Sequence, residues 1–340
     1  MQAIWDTRYA RRTAHMRRSA VRELLKLAAR PGLISFAGGM PAAELFPVEA
    51  VRDAVERVLE ARPAAALQYG ETEGVGELRE WIAARYSTAA RPLRCGHVLI
   101  TSGAQQALDL LGRVLLDEGD RVGVENPTYL ALLSAWRPLG VRFEALGPGG
   151  IPGGGTPPKL LYLVPDFRNP TGTSLPLRSR EAVVEWLGSA DCVAVEDDPY
   201  GELRYSGAPV VSLAELDARR GGTEDWRVVR TGTFSKLLTP GLRLGWVIGP
   251  EALVDRLVRA KQSVDLHTST LAQWLTVEML RSGMLDAHRS RLLAAYRERR
   301  DAMLEALARW MPSGVRWSRP EGGMFIWVSL PVGWDAAGLL

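Results

Sequence analysis

The sequence predicts an α/β fold built on a mainly parallel sheet sandwiched by helices, and two observations carry the prediction. Between residues 95 and 250, short runs of β-branched and aliphatic residues alternate with stretches of helical periodicity. The runs are continuously apolar rather than alternating, the pattern of strands buried on both faces under covering helices.

Taken in order, the expected strands are His97–Thr101, Arg121–Glu125, Leu160–Val164, Cys192–Glu196, Val228–Thr231 and Leu244–Ile248. Helices are expected between them, among them Ala104–Leu116 and Arg178–Leu187. The flanks differ in character. Residues 17–30 read as an amphipathic helix and 288–309 as a longer one, followed by short strands at Val315–Trp317 and Met324–Leu330. Residues 335–340 read as the first turns of a further helix. The expected division is an N-terminal arm with part of a smaller domain at 1–50, a large domain at 51–287, and the start of a C-terminal small α/β domain at 288–340, cut short at Leu340.

Composition narrows the function classes. The chain of 340 residues is 46% hydrophobic and 24% charged, ordinary for a soluble globular protein. No run approaches the ~20 apolar residues that span a bilayer, and the N-terminus lacks the apolar core of a secretory signal. A transit peptide is the weaker reading of the Arg-rich start. Two distant cysteines, Cys95 and Cys192, make no disulfide framework and fit a reducing cytoplasm. The four histidines stand at no metal-ligand spacing, so no metal site is expected. A net charge of +3 is small, and the N-terminal arginines Arg8, Arg11, Arg12, Arg17, Arg18 and Arg22 read as a solvated or interface-facing arm rather than a nucleic-acid stripe. Only four of 42 basic residues are lysines: Lys26, Lys159, Lys236 and Lys261. Chemistry that needs an amine has few candidates.

In a parallel sheet, ligand chemistry gathers at the carboxyl ends of strands. After the first strand come Ser102, Gly103, Ala104 and Gln105, opening a helix whose free N–H groups and dipole suit an anion; an ordinary cap is the other reading. After the third come Arg168, Asn169, Pro170, Thr171 and Gly172, strong turn chemistry by itself. After the fourth come Asp197, Asp198, Pro199 and Tyr200, carboxylates that are costly to bury without a partner. After the fifth come Thr233, Ser235 and Lys236, with Arg243 close behind: two hydroxyls and a guanidinium around an amine. A lysine so placed has the setting of a nucleophile toward an aldehyde.

At these residues the sequence resembles the fold-type I pyridoxal-phosphate enzymes, specifically the class I/II aminotransferases near the 2-aminoadipate and kynurenine aminotransferases. The resemblance runs from about Ser19 to Trp327 through FAGGMPAAELFP (36–47), QYGETEGVGEL (68–78), SGAQQAL (102–108), NPTY (126–129), PDFRNPTG (165–172), EDDPYGEL (196–203), TGTFSKLLTPGLRLGW (231–246) and PEGGMFIW (320–327). It implies pyridoxal 5'-phosphate held by Lys236 as an internal aldimine, the lysine then shuttling a proton. It implies Asp197 against the pyridine nitrogen, Asn169 and Tyr200 on the phenolic oxygen, and Tyr129 stacked on the ring. The phosphate falls to the Ser102–Gln105 turn, chiefly the backbone of Ala104 and Gln105, with Thr233, Ser235 and Arg243. Tyr69 is implied to reach the neighbouring subunit of a homodimer with interfacial sites. Gly38, Gly39 and Asn169 border the substrate.

In such enzymes an arginine beyond the PEGGMF-like motif grips the substrate carboxylate, and this chain ends first. Truncation is the favoured account; Arg17, Arg22 and Arg168 are substitutes by region, and a substrate without that carboxylate is the third account. Arg168 otherwise reads as a surface residue. The function implied is transfer of an amino group between an L-amino acid and a 2-oxo acid. Another reaction on the same scaffold (decarboxylation, β-elimination or condensation) is the alternative, and a non-catalytic ligand sensor ranks below both. Neither nucleic acid nor membrane is an expected partner.

Overall fold

A computed structural model describes residues 4–16, 32, 35–36 and 38–339. The expected helix at 17–30 and the candidates Arg17 and Arg22 lie outside the described residues.

The first helices are α1 (Val48–Ala61), α2 (Pro63–Leu67) and α3 (Gly76–Tyr86). The sheet region then runs β1 (Val98–Thr101), α4 (Ala104–Leu115), β2 (Arg121–Val124), α5 (Leu130–Trp136), β3 (Arg142–Ala145) and β4 (Leu160–Leu163). It continues with α6 (Leu177–Ser189), β5 (Val193–Asp198), α7 (Leu213–Gly221), β6 (Val228–Thr233) and β7 (Gly245–Ile248). The strands pair in the order β1-β7-β6-β5-β4-β2-β3. All pairings are parallel except those of β7, which runs antiparallel to both β1 and β6. The expected sheet is therefore present, with the six expected strands and one more.

Alternate residues of each strand feed opposite faces. Leu99, Val122, Tyr162, Val195, Val229 and Val247 face α4, α5 and the later helix α8 (Glu251–Gln262). Val98, Ile100, Trp246 and Ile248 face α1 to α3 and α9 (Thr270–Arg281), while Leu161, Leu163, Ala194 and Val228 face α6 and α7. Both faces are covered, which is why the strands read as unbroken apolar runs.

Helix α10 (Met284–Trp310) is one continuous 27-residue element, packing Leu292 and Tyr296 on the same core. It leads to a separate two-stranded sheet, β8 (Arg316–Trp317) with β9 (Val328–Ser329). Where a helix was expected over 335–340, the described chain makes a single 3-10 turn at 337–339. No helix among the described residues is long and apolar enough to cross a membrane.

Candidate active site

The carboxyl ends of β4, β5 and β6 open on a cavity of about 270 Å³. Twelve residues singled out from the sequence line it: Gly38, Gly39, Ala104, Gln105, Tyr129, Asn169, Asp197, Tyr200, Thr233, Ser235, Lys236 and Arg243. They come from seven separated segments, six of them brought together by the sheet topology and the seventh, Gly38 and Gly39, from the chain ahead of the first helix.

Lys236 and Arg243 share the loop between β6 and β7. The hairpin register pairs Thr233 with Gly245, and the Phe234 amide donates to the Leu244 carbonyl at 3.1 Å, so both ends of the loop are pinned. Lys236 Nζ donates to the Gly39 carbonyl at 3.1 Å. Burial, with the Arg243 charge adding to it, brings the Lys236 amine down to about 8 from 10.5. An amine at that value keeps a neutral, nucleophilic fraction at physiological pH.

Asp197 lies on β5, in the middle of the sheet, almost fully buried. Tyr162 donates to its Oδ2 at 2.6 Å and Thr231 to its Oδ1 at 2.7 Å. Burial pushes the carboxyl up to about 6 against these two donors. Its neighbours resolve otherwise. Asp198 pairs with Arg230 at 2.5 Å. Glu196 accepts the Leu213 and Ala214 amides at 3.0 and 2.9 Å, capping α7. Among the described residues Asp197 has no cationic partner, so a buried acid faces the cavity with room for a cation. Tyr200, buried and hydrogen-bonded to Asn169, has its phenol held above 10 by burial.

The opposite end of the cavity is arranged for an anion. Ala104 and Gln105 begin α4, where first-turn amides have no helical carbonyl to meet. Ser235 N–H donates to Thr233 Oγ1 at 3.1 Å, and the two hydroxyl oxygens are 2.8 Å apart. Arg243, in the left-handed region at φ 52°, directs Nη2 to the Ser102 carbonyl at 3.4 Å. This set of an arginine, two hydroxyls and free amides fits a phosphate, as Lys236 fits an aldehyde and Asp197 a protonated ring nitrogen.

Other expected residues stand apart from the cavity. Gly103 caps α4, and the Ser102 hydroxyl turns away to Asp265, at 2.9 Å. Tyr69 is 78% exposed, its ring edge-on to His267. Arg168 is neither a surface residue nor a cavity one: its Nη2 lies 2.5 Å from Oε1 of buried Glu125. Sequence reasoning passed over Tyr162, Met40 and Phe325, which also line the cavity. Tyr162 carried a usable signal, because a tyrosine inside a fully buried strand needs a partner for its hydroxyl. Phe325 comes within 5.6 Å of Tyr200, ring to ring, and a Cβ on Gly39 would lie 2.4 Å from its ring.

The family model for aminotransferase class I and II matches residues 32–144 and 156–335. The chain is 41% identical to aromatic-amino-acid aminotransferase 1 of Thermococcus litoralis, over 99% of this chain and 83% of that protein. Among solved structures, the α-aminoadipate aminotransferase of Thermus thermophilus, complexed with N-(5'-phosphopyridoxyl)-L-leucine, matches with a TM-score of 0.87 at 40% identity, covering 99% of this chain and 85% of that one. The kynurenine aminotransferase of Pyrococcus horikoshii matches with a TM-score of 0.90 at 40% identity, covering 99% and 86%. With sheet, cavity and nearly the whole length of the sequence in agreement, the chain belongs to the class I and II aminotransferases, pyridoxal-phosphate-dependent enzymes that transfer amino groups.

Proposed function

We propose that Lys236 attaches the cofactor through its amine and moves the proton at the substrate's α-carbon, as an L-amino acid exchanges its amino group with a 2-oxo acid. One observation carries the assignment. The amine of Lys236, lowered to about 8, sits in one cavity with a cluster of anion-binding donors and a buried carboxylate that has no cation beside it among the described residues. The bound cofactor supplies an electron sink for the charge left on that carbon. Asp197 keeps the ring nitrogen protonated. Asn169 and Tyr200 hydrogen-bond the ring oxygen, and Tyr129 stacks on the ring face. Arg243, Ser235, Thr233 and the amides of Ala104 and Gln105 hold the phosphate.

Met40, Val164 and Phe325 give the substrate side an apolar character that supports donors with large side chains. The names of the relatives point to the same donors, aromatic or long dicarboxylic. A homodimer is part of this reading, supported by exposed Trp5, Tyr9, Phe36, Met40, Tyr69 and Leu130. So are a cytoplasmic setting, supported by two free thiols, and the division at residues 1–50, 51–287 and 288–340.

The test is the visible absorbance of the protein with pyridoxal phosphate, before and after a panel of amino acids. The reading expects a bound-cofactor band that Lys236→Ala abolishes and that large amino donors deplete. A wild-type protein with no such band overturns it.

A further inference from the structure

Lys236 occupies the cavity, and Lys159 is half-exposed beside Asp120, at 2.6 Å. Lys261 is a second buried amine with no part in the chemistry so far. It stands in the last turn of α8, its side chain wholly out of solvent, with Nζ 2.5 Å from Asp265 Oδ1. A buried ammonium is tolerated only with a partner, and that partner leads back to the cavity.

The other oxygen of Asp265 accepts the Ser102 hydroxyl at 2.9 Å and the Gln106 amide at 2.7 Å. Gln106 Oε1 in turn accepts the Ser102 N–H at 2.7 Å. Arg243 donates to the Ser102 carbonyl at 3.4 Å. Each polar group of Ser102 is therefore engaged: amide by Gln106, hydroxyl by Asp265, carbonyl by Arg243. Ser102, so fixed, stands one residue, Gly103, ahead of Ala104 and Gln105, whose amides point wherever this turn aims them.

We propose that Asp265, its charge balanced by Lys261, is a positioning residue that sets the Ser102–Gln105 turn so that the amides of Ala104 and Gln105 converge on the cofactor's phosphate. The proposal rests on the assignment of that turn as the phosphate site. Geometry supplies the first argument: pairing with Lys261 occupies one oxygen of the half-buried Asp265, and the other reaches the turn across 163 residues of sequence to hold both Ser102 and Gln106. Charge supplies the second. A lone carboxylate behind an anion site repels the anion, and at a half-buried position solvent screens that repulsion only in part. Lys261 cancels it. Burial alone would raise the Asp265 carboxyl, but hydrogen bonds from Lys261, Gln106 and Ser102 hold it below its ordinary value. Asp265 thus remains an ionised acceptor.

A pair that merely anchored the end of α8 would change stability and bind every ligand alike. The distinguishing experiment uses the full chain, stripped of cofactor, titrated with pyridoxal phosphate and with pyridoxal, which lacks the phosphate. Asp265→Ala is expected to weaken pyridoxal phosphate about tenfold, the scale of a lost charge-assisted hydrogen bond, and to leave pyridoxal unchanged. Asp265→Asn, which keeps an acceptor oxygen and the volume, recovers part of the loss and serves if the alanine variant does not fold. Lys261→Met is expected to weaken pyridoxal phosphate more than the double variant Lys261→Met/Asp265→Asn, because the single change leaves a bare carboxylate behind the phosphate. Equal losses for both ligands, no loss for either, or a double variant worse than both singles overturns the proposal. A wild-type protein that binds the two ligands equally instead removes the phosphate site itself, and the proposal with it.

Discussion

Tyr162 donates a 2.6 Å hydrogen bond to Asp197 from the strand beside it, and Thr231 grips the same carboxylate from the strand on the other side. The acid is held between its two sheet neighbours in a buried position that brings its carboxyl up to about 6. Tyr162→Phe removes one donor to the charged form, so the carboxyl rises further. The acid limb of kcat/KM against pH is expected to move up by about one pH unit, with kcat falling about tenfold, the worth of a hydrogen bond to a charged group. An unchanged profile would show that the phenol does not support the ionised acid.

Arg243 is the second cause, after burial, of the lowered Lys236 amine. In cofactor-free protein the rate of pyridoxal capture is expected to rise with pH to a half-point near 8. Arg243→Gln moves that half-point upward, toward the ordinary 10.5. Pyridoxal is the probe because it lacks the phosphate that Arg243 also binds. A half-point that stays in place would assign the lowering to burial alone.

Glu125 is buried beside Arg168, and burial pushes its carboxyl up from 4.5 to about 7 although Arg168 and the Val164 amide oppose this. The folded chain then holds this proton between roughly pH 4.5 and 7 while the unfolded chain releases it. Stability falls as pH rises across that window, by about 3 kcal/mol at most from this group. Glu125→Gln is expected to flatten this part of the slope in urea melts of the cofactor-free protein, leaving the Asp197 contribution near pH 6. Parallel slopes for the two proteins would refute the assignment.

Gly245 opens β7 where the hairpin meets α4. A Cβ there would lie 2.6 Å from the Ala104 amide nitrogen and 2.7 Å from the Gly103 carbonyl carbon, both backbone atoms that cannot swing aside. Gly245→Ala is expected to cost about 1–3 kcal/mol and to weaken pyridoxal phosphate more than pyridoxal, because the start of α4 must shift. Thermal melting and the paired titrations check both halves.

The strands were legible because each is buried on both faces and so spells an unbroken apolar run. Strand β3 was not: Arg142 and Glu144 interrupt it, as suits a half-exposed edge, and nothing in RFEA separates it from loop. Ala104, Gln105, Asn169, Asp197, Tyr200, Thr233, Ser235, Lys236 and Arg243 could be named because they follow strand ends, where the topology makes ligands converge, whereas Gly38, Gly39 and Tyr129 were named only by the family resemblance. The network behind these residues could not be named. Lys261 and Asp265 form an i,i+4 pair that looks like any helix-end salt bridge, and only folding brings Ser102 to it. Arg168 misled in the same way, since its partner Glu125 lies 43 positions earlier and its burial has no local signature.

The reversed direction of β7 has a consequence for how such a protein can change. Because β6 and β7 form a hairpin, the amine and the guanidinium hang from the one loop at 234–244, while the acid stands near the end of β5, which reaches β6 only through a separate helical connection. Lengthening or shortening that loop would displace Lys236 and Arg243 in concert and leave Asp197 in place. Amine and anion holder therefore answer to one connection and the acid to another, so a change in the length of that loop would move a nucleophile together with the like charge that lowers its pKa.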